Sequence, residues 1–412
     1  MKYYKRLLDD QVRIALAKDE AIFILGARQV GKTTLLKKLM SENEHSFYLD
    51  LENPQYLSII NQGSEEFKAF LDSRGLSKQN RNLIFIDEIQ YAKDFSSLIK
   101  YFVDHYSERY KLILSGSSSL QIRQNFKESL VGRKIVFELY PLSFSEYCEF
   151  KGEAILSKKL NNFNFWEIKD DPLRFDKIRL KALYQDFLTF GGFPKVVLEN
   201  SKADKIKILK DIVTSYILKD IRHIFNLEKT DQFNHLVRLL ATVMGKELNF
   251  SKLATEVKLH KQTLQHYINA LEQAYIIKLI QPYYKNLATE LRKTPKCFFL
   301  DNGIRNLLIN NFSELEFRID RGELLENCIF TQLQKKSKPL RKINYWRTKN
   351  HQEVDFIVQE ENKLFALEVK WNKGSWANIK KFGQVYSNSE IFIVSNNLDF
   401  DIANNVLPAY LI

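Results

Sequence analysis

The sequence has little cysteine: three residues in 412, at Cys148, Cys297 and Cys328. Their number is odd and their spacing is wide, so they suggest neither a disulfide framework nor a metal site of closely spaced thiolates. We therefore expect a reducing compartment, the cytosol. Long hydrophobic runs are also missing, and the residues from Met1 to Asp10 contain no apolar stretch of the secretory kind. We expect no membrane span and no membrane partner.

Acidic residues are fewer than basic ones, with 50 Asp and Glu against 62 Lys and Arg, so the net charge is +12. An excess of this size indicates either a polyanionic partner, most simply nucleic acid, or a solvated lysine-rich surface. Hydrophobic residues make up 45% of the chain and charged residues 27%, which is typical of a globular protein. Its length suffices for about two to four domains.

The segment 22–34 contains the most informative motif. Four apolar residues precede Gly26, and Gly31-Lys32-Thr33 follows after four further positions, between a predicted buried strand and a predicted helix. This G-x-x-x-x-G-K-T pattern in this context predicts a phosphate-binding loop, because glycine lets the backbone approach a polyphosphate closely. The loop amides and the helix N-terminus add aimed donors. We expect nucleotide contacts from Gly26, Ala27, Arg28, Gln29, Val30, Gly31, Lys32, Thr33 and Thr34.

Two side chains of this loop have individual predicted roles. Lys32 is a point charge for the β- and γ-phosphates of a nucleotide. Thr33 offers a hydroxyl to Mg²⁺. The loop therefore predicts ATP and Mg²⁺ as cofactors.

An acidic pair follows the buried run Leu83-Ile84-Phe85-Ile86. Such a run predicts a central parallel strand, and open α/β sheets place ligands at the carboxyl ends of their strands. We expect Asp87 to hold the Mg²⁺ shell and Glu88 to orient and polarise the water that attacks the γ-phosphate. The alternative is an acidic strand end that only caps the next helix.

A further predicted strand, 110–114, runs into Ser115-Gly116-Ser117-Ser118-Ser119. Ser115 or Ser117 is suited to hydrogen-bond the γ-phosphate or the attacking water, because both hydroxyls would lie beside the acidic strand end. The alternative is a turn of small polar residues without a chemical role.

These motifs together resemble a widespread group of prokaryotic AAA-type ATPases with a C-terminal domain of unknown function. The resemblance continues through Gly132-Arg133, the segment 140–147 and Gly191-Gly192-Phe193-Pro194, so it spans nearly the whole chain. It implies binding of ATP and ADP, and hydrolysis as the catalytic activity. It also implies that Arg133 offers a charge to the γ-phosphate, within the chain or from a neighbouring subunit of an oligomer, with a structural salt bridge as the alternative. Pro194 matches a lid turn that approaches the nucleotide, unless the turn is a plain helix break.

The segment 249–280 follows the order of a winged helix: a short capped helix, a turn, a longer helix and β-prone residues. Its polar side chains are suited to DNA phosphates and base edges. We expect DNA contacts from Lys252, Lys261, Gln262, Gln265 and His266. The alternative is a rigid connector or a protein contact.

The last hundred residues resemble the restriction-endonuclease-like superfamily. A predicted helix from Arg321 is followed by three predicted strands, with Asp355 on the second and Glu368-Val369-Lys370 on the third. The resemblance implies that Asp355 and Glu368 hold Mg²⁺, that Lys370 steadies the attacking hydroxide, and that Glu326 supplies the acid on the first helix. Such domains also persist as docking modules without activity.

We therefore expect an α/β protein in three parts: a P-loop parallel sheet with flanking helices over 1–185, a helical lid and winged helix over 186–310, and a small α/β restriction-endonuclease-like domain over 311–412. The predicted function is Mg²⁺-dependent ATP hydrolysis coupled to DNA binding or processing. One alternative is a slow nucleotide switch whose C-terminal half docks a protein partner. Another is DNA strand cleavage that ATP only gates.

Overall fold

A computed structural model of the chain describes residues 2–117, 130–163, 173, 176–284, 290, 293–336, 340–360, 363–372, 376–396 and 405–412. Ser118 and Ser119, and the predicted hairpin residues 361–362, lie outside the described residues. The chain forms two compact units. The first comprises Met1–Tyr140 with Gln273–Tyr275, and the second comprises Pro141–Glu272 with Ile276–Ile412.

The first unit is built on a five-stranded parallel sheet with the strand order β2-β3-β4-β1-β5. Strands β1, β3 and β4 are buried along their whole length, as their apolar runs predict. The sequence did not predict β5, which alternates polar and apolar residues at the edge of the sheet. The strands are β1 (Ala21–Leu25), β2 (Ser46–Asp50), β3 (Asn82–Asp87), β4 (Tyr110–Gly116) and β5 (Lys134–Glu138).

Five helices of the first unit connect these strands within the described residues. The helix after β2 begins with Pro54, and the side chain of Asn53 caps it by accepting the amide hydrogen of Gln55. Between the helices and β4, the rings of Phe67 and Phe102 pack 5.4 Å apart. The helices are Asp9–Leu16, Lys32–Ser41, Pro54–Gln62, Ser64–Asp72 and Phe95–Tyr106, with a 3₁₀ turn at Ile89–Tyr91.

The second unit begins with a largely helical region. A π-helical stretch, Ile212–Ile221, interrupts its longest run of helix. Two of its later helices, Phe250–Glu256 and Lys261–Gln273, precede an antiparallel hairpin of β6 (Ile277–Ile280) and β7 (Lys296–Phe299). The other helices are Phe144–Phe150, Ala154–Asn162, Lys177–Phe190, Pro194–Leu198, Lys202–Asp211, Arg222–Ile224, Thr230–Thr242 and Asn302–Leu308.

The second unit ends in a mixed five-stranded sheet with the order β12-β11-β10-β9-β8. Strands β8, β9 and β10 are antiparallel, and β11 and β12 continue the sheet in parallel. Helices Arg321–Lys335 and Ala377–Val385 accompany it, and the predicted α/β class is thereby confirmed. The strands are β8 (Lys342–Arg347), β9 (Glu353–Glu360), β10 (Lys363–Lys370), β11 (Ser389–Ser395) and β12 (Val406–Pro408).

Side-chain packing in this last sheet centres on Trp346 of β8 and Phe382 of the final helix, whose rings lie 5.3 Å apart. All three cysteines are free thiols in buried positions. Among the helices of the described residues, none has the length and apolar composition that crossing a membrane requires.

Candidate functional site

The predicted phosphate loop connects β1 to the helix Lys32–Ser41 at the carboxyl edge of the first sheet. Gly31 has a φ of 103°, in the left-handed region that favours glycine. A Cβ at Gly26 would lie 2.1 Å from the carbonyl oxygen of Leu139, so a larger residue there would clash with neighbouring backbone. The two glycines of the motif are therefore required by the fold itself, for two different reasons.

The ammonium of Lys32 lies inside the curve of this loop. It donates to the carbonyl oxygens of Gly26, at 3.0 Å, and Ala27, at 2.8 Å. The residue is 4% exposed. Burial lowers the pKa of Lys32 to about 8, against the opposing charges of Glu88 and Asp87. A phosphate beside this poorly hydrated ammonium would stabilise its charged form.

Asp87, at the end of β3, gathers hydroxyl groups from three other elements. Thr33 Oγ1 donates to Asp87 Oδ2 over 2.6 Å, and the hydroxyl of Tyr48 on β2 donates to the same oxygen over 2.8 Å. The hydroxyl of Ser115 on β4 donates to Asp87 Oδ1. The predicted residues Thr33, Asp87 and Ser115 thus come together. Tyr48 was missed, because it stands in no motif.

Glu88 follows Asp87 with a φ of 56°, a conformation that non-glycine residues seldom adopt. Its carboxylate accepts hydrogen bonds from Gln90 Nε2 and, over 3.1 Å, from Ser117 Oγ. Gln90 Nε2 also donates to Ser117 Oγ over 3.1 Å. Strained backbone of this kind costs about 1–3 kcal/mol and is retained where the surroundings demand it. The surrounding side chains therefore hold the Glu88 carboxylate in one orientation.

Arg133 does not lie near the loop of its own chain, which corrects one of its two predicted roles. It immediately precedes β5, whose first residue Lys134 pairs with Ala21 at the start of β1. The phosphate loop follows the other end of β1, roughly 15 Å away along a five-residue strand. The Nε atom of Arg133 pairs with Asp104 at 2.5 Å. The salt bridge is therefore observed, and a role in a neighbouring subunit stays a prediction.

Arg6 contacts the phosphate loop and was missed by the sequence analysis. One guanidinium nitrogen donates to the carbonyl oxygen of Val30, in the loop, and the other donates to that of Tyr140, each over 2.8 Å. The residue is 6% exposed. A single arginine ahead of the first strand carries no sequence signal, because only the folded chain brings it to the loop.

The predicted DNA-contacting residues lie on a helix–turn–helix in the second unit. Asn249 caps the first helix by accepting the amide hydrogen of Lys252 over 3.0 Å. Leu253 and Leu264 are buried between the helices. The predicted contact residues Lys252, Lys261, Gln262, Gln265 and His266 are exposed, and the hairpin β6–β7 follows, as the winged-helix order requires.

Pro194 begins the short helix Pro194–Leu198 in the second unit. The turn before it is fixed by a residue that the sequence analysis missed: the buried carboxylate of Asp301 accepts the amide hydrogen of Gly192 over 2.7 Å. Burial raises the pKa of Asp301. The predicted approach of Pro194 to the nucleotide stays a prediction.

Asp355 and Glu368 occupy facing positions on β9 and β10. The printed register ends with Leu367 opposite Phe356, and these two residues come next in it. Asp355 Oδ2 accepts the amide hydrogen of Val369 over 2.7 Å. Glu368 Oε1 lies 2.6 Å from the ammonium of Lys370, whereas Glu368 Oε2 is buried without a hydrogen-bond partner. The predicted acids and the predicted lysine thus come together.

Lys296 of β7 joins this group and was not predicted. Its ammonium lies 2.5 Å from Glu353 Oε1 and 3.5 Å from Glu326 Oε1, and its side chain is 3% exposed. A lysine that opens the apolar run Lys296-Cys297-Phe298-Phe299 is a sequence signal, because a buried charge needs a partner. Glu353 also had a signal, since it stands two positions from Asp355 on one strand.

Burial perturbs the titration of this acidic cluster. It raises the pKa of Glu326 to about 8, against the lowering effect of Lys296. It raises the pKa of Glu368 to about 7, and the charge of Asp355 adds to that shift. For Lys296, burial alone would lower the pKa, but the charges of Glu326 and its neighbours outweigh burial and raise it. The cluster is short of positive charge.

Over the described ranges of the chain, no group of three or more His, Cys, Asp or Glu side chains is arranged to hold a metal ion. Asp355 and Glu368 supply a facing pair of carboxylates, and Glu326 is engaged by Lys296 instead of completing a triad.

The chain was compared with known proteins. Residues 18–148 match a family model described as an AAA domain, and residues 181–315 and 321–412 match two models described as domains of unknown function. An uncharacterized protein of Methanocaldococcus jannaschii is 25% identical over 366 residues, covering 87% of this chain and 76% of that protein. Another, of Haemophilus influenzae, is 24% identical over 360 residues, covering 84% and 81%.

Among solved structures, the Walker-type ATPase of Pyrococcus abyssi is 13% identical, with a TM-score of 0.46, and the match covers 74% of this chain and 96% of that one. The chain is thus similar to AAA-type P-loop ATPases over residues 18–148, and to two domains of unknown function over most of the remainder.

Proposed function

We propose that this protein binds ATP with Mg²⁺ at the loop 26–34 and hydrolyses the γ-phosphate. The observation that carries the proposal is the meeting of Thr33, Ser115 and Asp87 at the edge of the sheet beside the loop. A threonine hydroxyl and a carboxylate are oxygen donors, which suit Mg²⁺. When bound, the ion would neutralise charge on the phosphates.

In this proposal each loop and strand-end residue has a separate task. Lys32 leaves the carbonyl oxygens of Gly26 and Ala27 and directs its ammonium to the phosphates. Glu88 accepts a proton from the attacking water as general base. Ser117 and Gln90 support this role because they already orient the Glu88 carboxylate. Ser115 and Tyr48 fix the rotamer of Asp87.

The decisive experiment is ATP turnover of the full chain, measured with and without duplex DNA. Lys32→Ala should abolish ATP binding or turnover, because it removes the phosphate-directed charge. Lys38→Ala is the matched control, since Lys38 lies on the same helix but pairs with Glu42 at the surface, at 3.0 Å. Turnover that survives in Lys32→Ala would refute the assignment of this loop.

We further propose that the helix–turn–helix and the hairpin β6–β7 act as a winged helix on DNA. Support comes from the exposed Lys252, Lys261, Gln262 and Gln265 along the two helices and from the net charge of +12. Stimulation of ATP turnover by DNA would link the two activities. The alternative remains a slow nucleotide switch with a C-terminal protein-docking module, and salt-independent or absent DNA binding would favour it.

We also propose that Asp355 and Glu368 hold one Mg²⁺ or Mn²⁺ ion, with Lys370 beside it, in a nuclease-like centre. The buried and unpartnered Oε2 atom of Glu368 supports this, because such an oxygen calls for a cation or a donor. In such a centre Lys370 would steady a phosphate or hydroxide. Strand cleavage gated by ATP is then the second candidate activity.

The remaining parts of the proposal concern organisation. The three family matches begin and end near the proposed parts 1–185, 186–310 and 311–412. We place Pro194 in the lid and Arg133 at the nucleotide of a neighbouring subunit. Free buried thiols support a cytosolic location.

A further inference from the structure

Lys296 is a fully partnered cation inside the acidic cluster of the second unit. Its ammonium lies 2.5 Å from Glu353 and 3.5 Å from Glu326, and 5.2 Å from the centre of the Tyr345 ring. Removing such a charge from water is costly unless carboxylates and an aromatic face replace the hydration shell. The contacts to Glu326, Glu353 and Tyr345 do so.

The carboxylates of the cluster therefore fall into two pairs. Glu326 and Glu353 share the ammonium of Lys296. Asp355 and Glu368 face each other from neighbouring strands, and Glu368, only 4% exposed, keeps one oxygen without a partner. Its other oxygen contacts Lys370. A vacancy for a cation is thus found at one pair of carboxylates, and the other pair is already neutralised.

Charge balance agrees with this division. Four ionised carboxylates and two ammonium groups leave two negative charges, which is the charge that one divalent ion compensates. Without Lys296 the same carboxylates would carry three negative charges in a buried site, and a second divalent ion would become favourable.

We propose that Lys296 is a built-in cation of this centre, which engages Glu326 and Glu353 and limits the centre to one divalent metal ion at Asp355 and Glu368. The inference rests on the proposed metal pair, but it assigns a separate role to a residue of the β6–β7 hairpin. Glu326 is then a partner of Lys296 and not a ligand of the metal.

The test is a Mn²⁺ titration of the full chain without nucleotide, in which electron paramagnetic resonance counts the bound ions. Ions that Asp355→Asn removes belong to this centre, so any Mn²⁺ held elsewhere is subtracted. The parent should bind one such ion. Lys296→Met should bind a second, at least roughly 10-fold more tightly than the parent does, and the further change Glu326→Gln should remove it.

Two matched variants serve as controls. Lys296→Arg keeps a cation between Glu326 and Glu353, so it should retain a single Mn²⁺. Lys370→Met removes the other ammonium of the cluster but leaves Lys296 in place, so it should also retain a single ion. A second ion in both lysine-to-methionine variants would mean that any lost charge has this effect, and the specific role of Lys296 would fail.

The outcomes separate this inference from the metal pair. Two ions in the parent, or an unchanged titration in Lys296→Met, would overturn the role of Lys296. No ion in the parent but a Glu326-dependent ion in Lys296→Met would refute the metal pair and leave the role of Lys296 standing. If Lys296→Met does not fold, recovery with Mn²⁺ supports the inference, and recovery only after Glu353→Gln, with no response to Mn²⁺, overturns it.

Discussion

The hydroxyl of Thr33 donates a hydrogen bond to the carboxylate of Asp87 over 2.6 Å, although 54 positions separate the two residues in the sequence. The contact brings together the phosphate loop after β1 and the acidic end of β3. Because β4 lies between these strands, Ser115 reaches the same carboxylate from a third strand end. The proposed chemistry depends on this junction, and the first three predictions test it.

ATP affinity should fall as the pH rises through about 8. The pKa of Lys32 is lowered to about 8 by burial, and bound phosphates would raise it again, so binding above that pH takes up a proton. The loss should approach tenfold in affinity for each pH unit above the lowered pKa. Calorimetry in buffers of different ionisation enthalpy measures both effects. Lys32→Arg should show no proton uptake, and equal uptake in both proteins would contradict the assignment.

Glu88→Gln should bind ATP normally but hydrolyse it roughly 100-fold or more slowly, because an amide cannot accept a proton from water. The neighbours Gln90 and Ser117 can still hydrogen-bond an amide oxygen, so the fold should persist. Retention of labelled ATP on the protein measures the trapped state. Glu52→Gln, which changes an exposed acid after β2, is the control. Hydrolysis at the parental rate would show that Glu88 is not the base.

Arg6→Ala should raise the KM for ATP, because the loop loses the guanidinium that holds the Val30 carbonyl. Hydrogen bonds to a charged group contribute about 1.5–3 kcal/mol, so an effect of roughly 10-fold is expected. Steady-state kinetics separates KM from kcat. Arg13→Ala, in the next helix, removes only a surface pair with Glu42. A lower thermal stability with an unchanged KM would give Arg6 a structural role only.

Reversing the charges of Lys252 and Lys261 should weaken DNA binding equally for all duplex sequences. Each lost phosphate contact should reduce the slope of log affinity against log salt by about one unit. Fluorescence anisotropy over a range of salt concentrations measures that slope. Lys210→Glu, on an exposed site of another helix, controls for net charge. Unchanged affinity and slope would assign the helix–turn–helix to a connector.

Asp355→Ala should abolish any Mg²⁺-dependent nicking of plasmid DNA by the full chain, because it removes one of two facing carboxylates. Glu390→Ala, on the neighbouring strand β11, leaves that pair intact and serves as the control. Conversion of supercoiled to open circular DNA measures nicking. If the parent does not nick and neither parent nor variant binds Mn²⁺, the docking-module alternative replaces the nuclease-like one.

Much of the first unit could be read from the sequence, because its signals are local. The strands β1, β3 and β4 are continuous apolar runs, and each meets its chemical residues at its carboxyl end. Parallel strands share that edge, so the meeting of Lys32, Asp87 and Ser115 follows from the pattern. The helix–turn–helix and the three predicted C-terminal strands were also visible as periodicity and order.

Other features required the tertiary structure. β5 has an edge-strand pattern too weak to predict, and its position shows that Arg133 begins a strand at the far end from the loop. Arg6, Tyr48 and Lys296 belong to no motif, and their contacts arise only when distant segments pack together.

The sequence by itself determined the elements and the chemical residues at their ends, because the spacing of apolar residues acts over a few positions of the chain. Only the tertiary structure decided which charges neutralise one another. A buried ammonium must find its carboxylates wherever the fold brings them. That is why Lys296, in a hairpin strand, lies with Glu326 and Glu353 from two other elements, and why Asp355 and Glu368 remain as a separate pair.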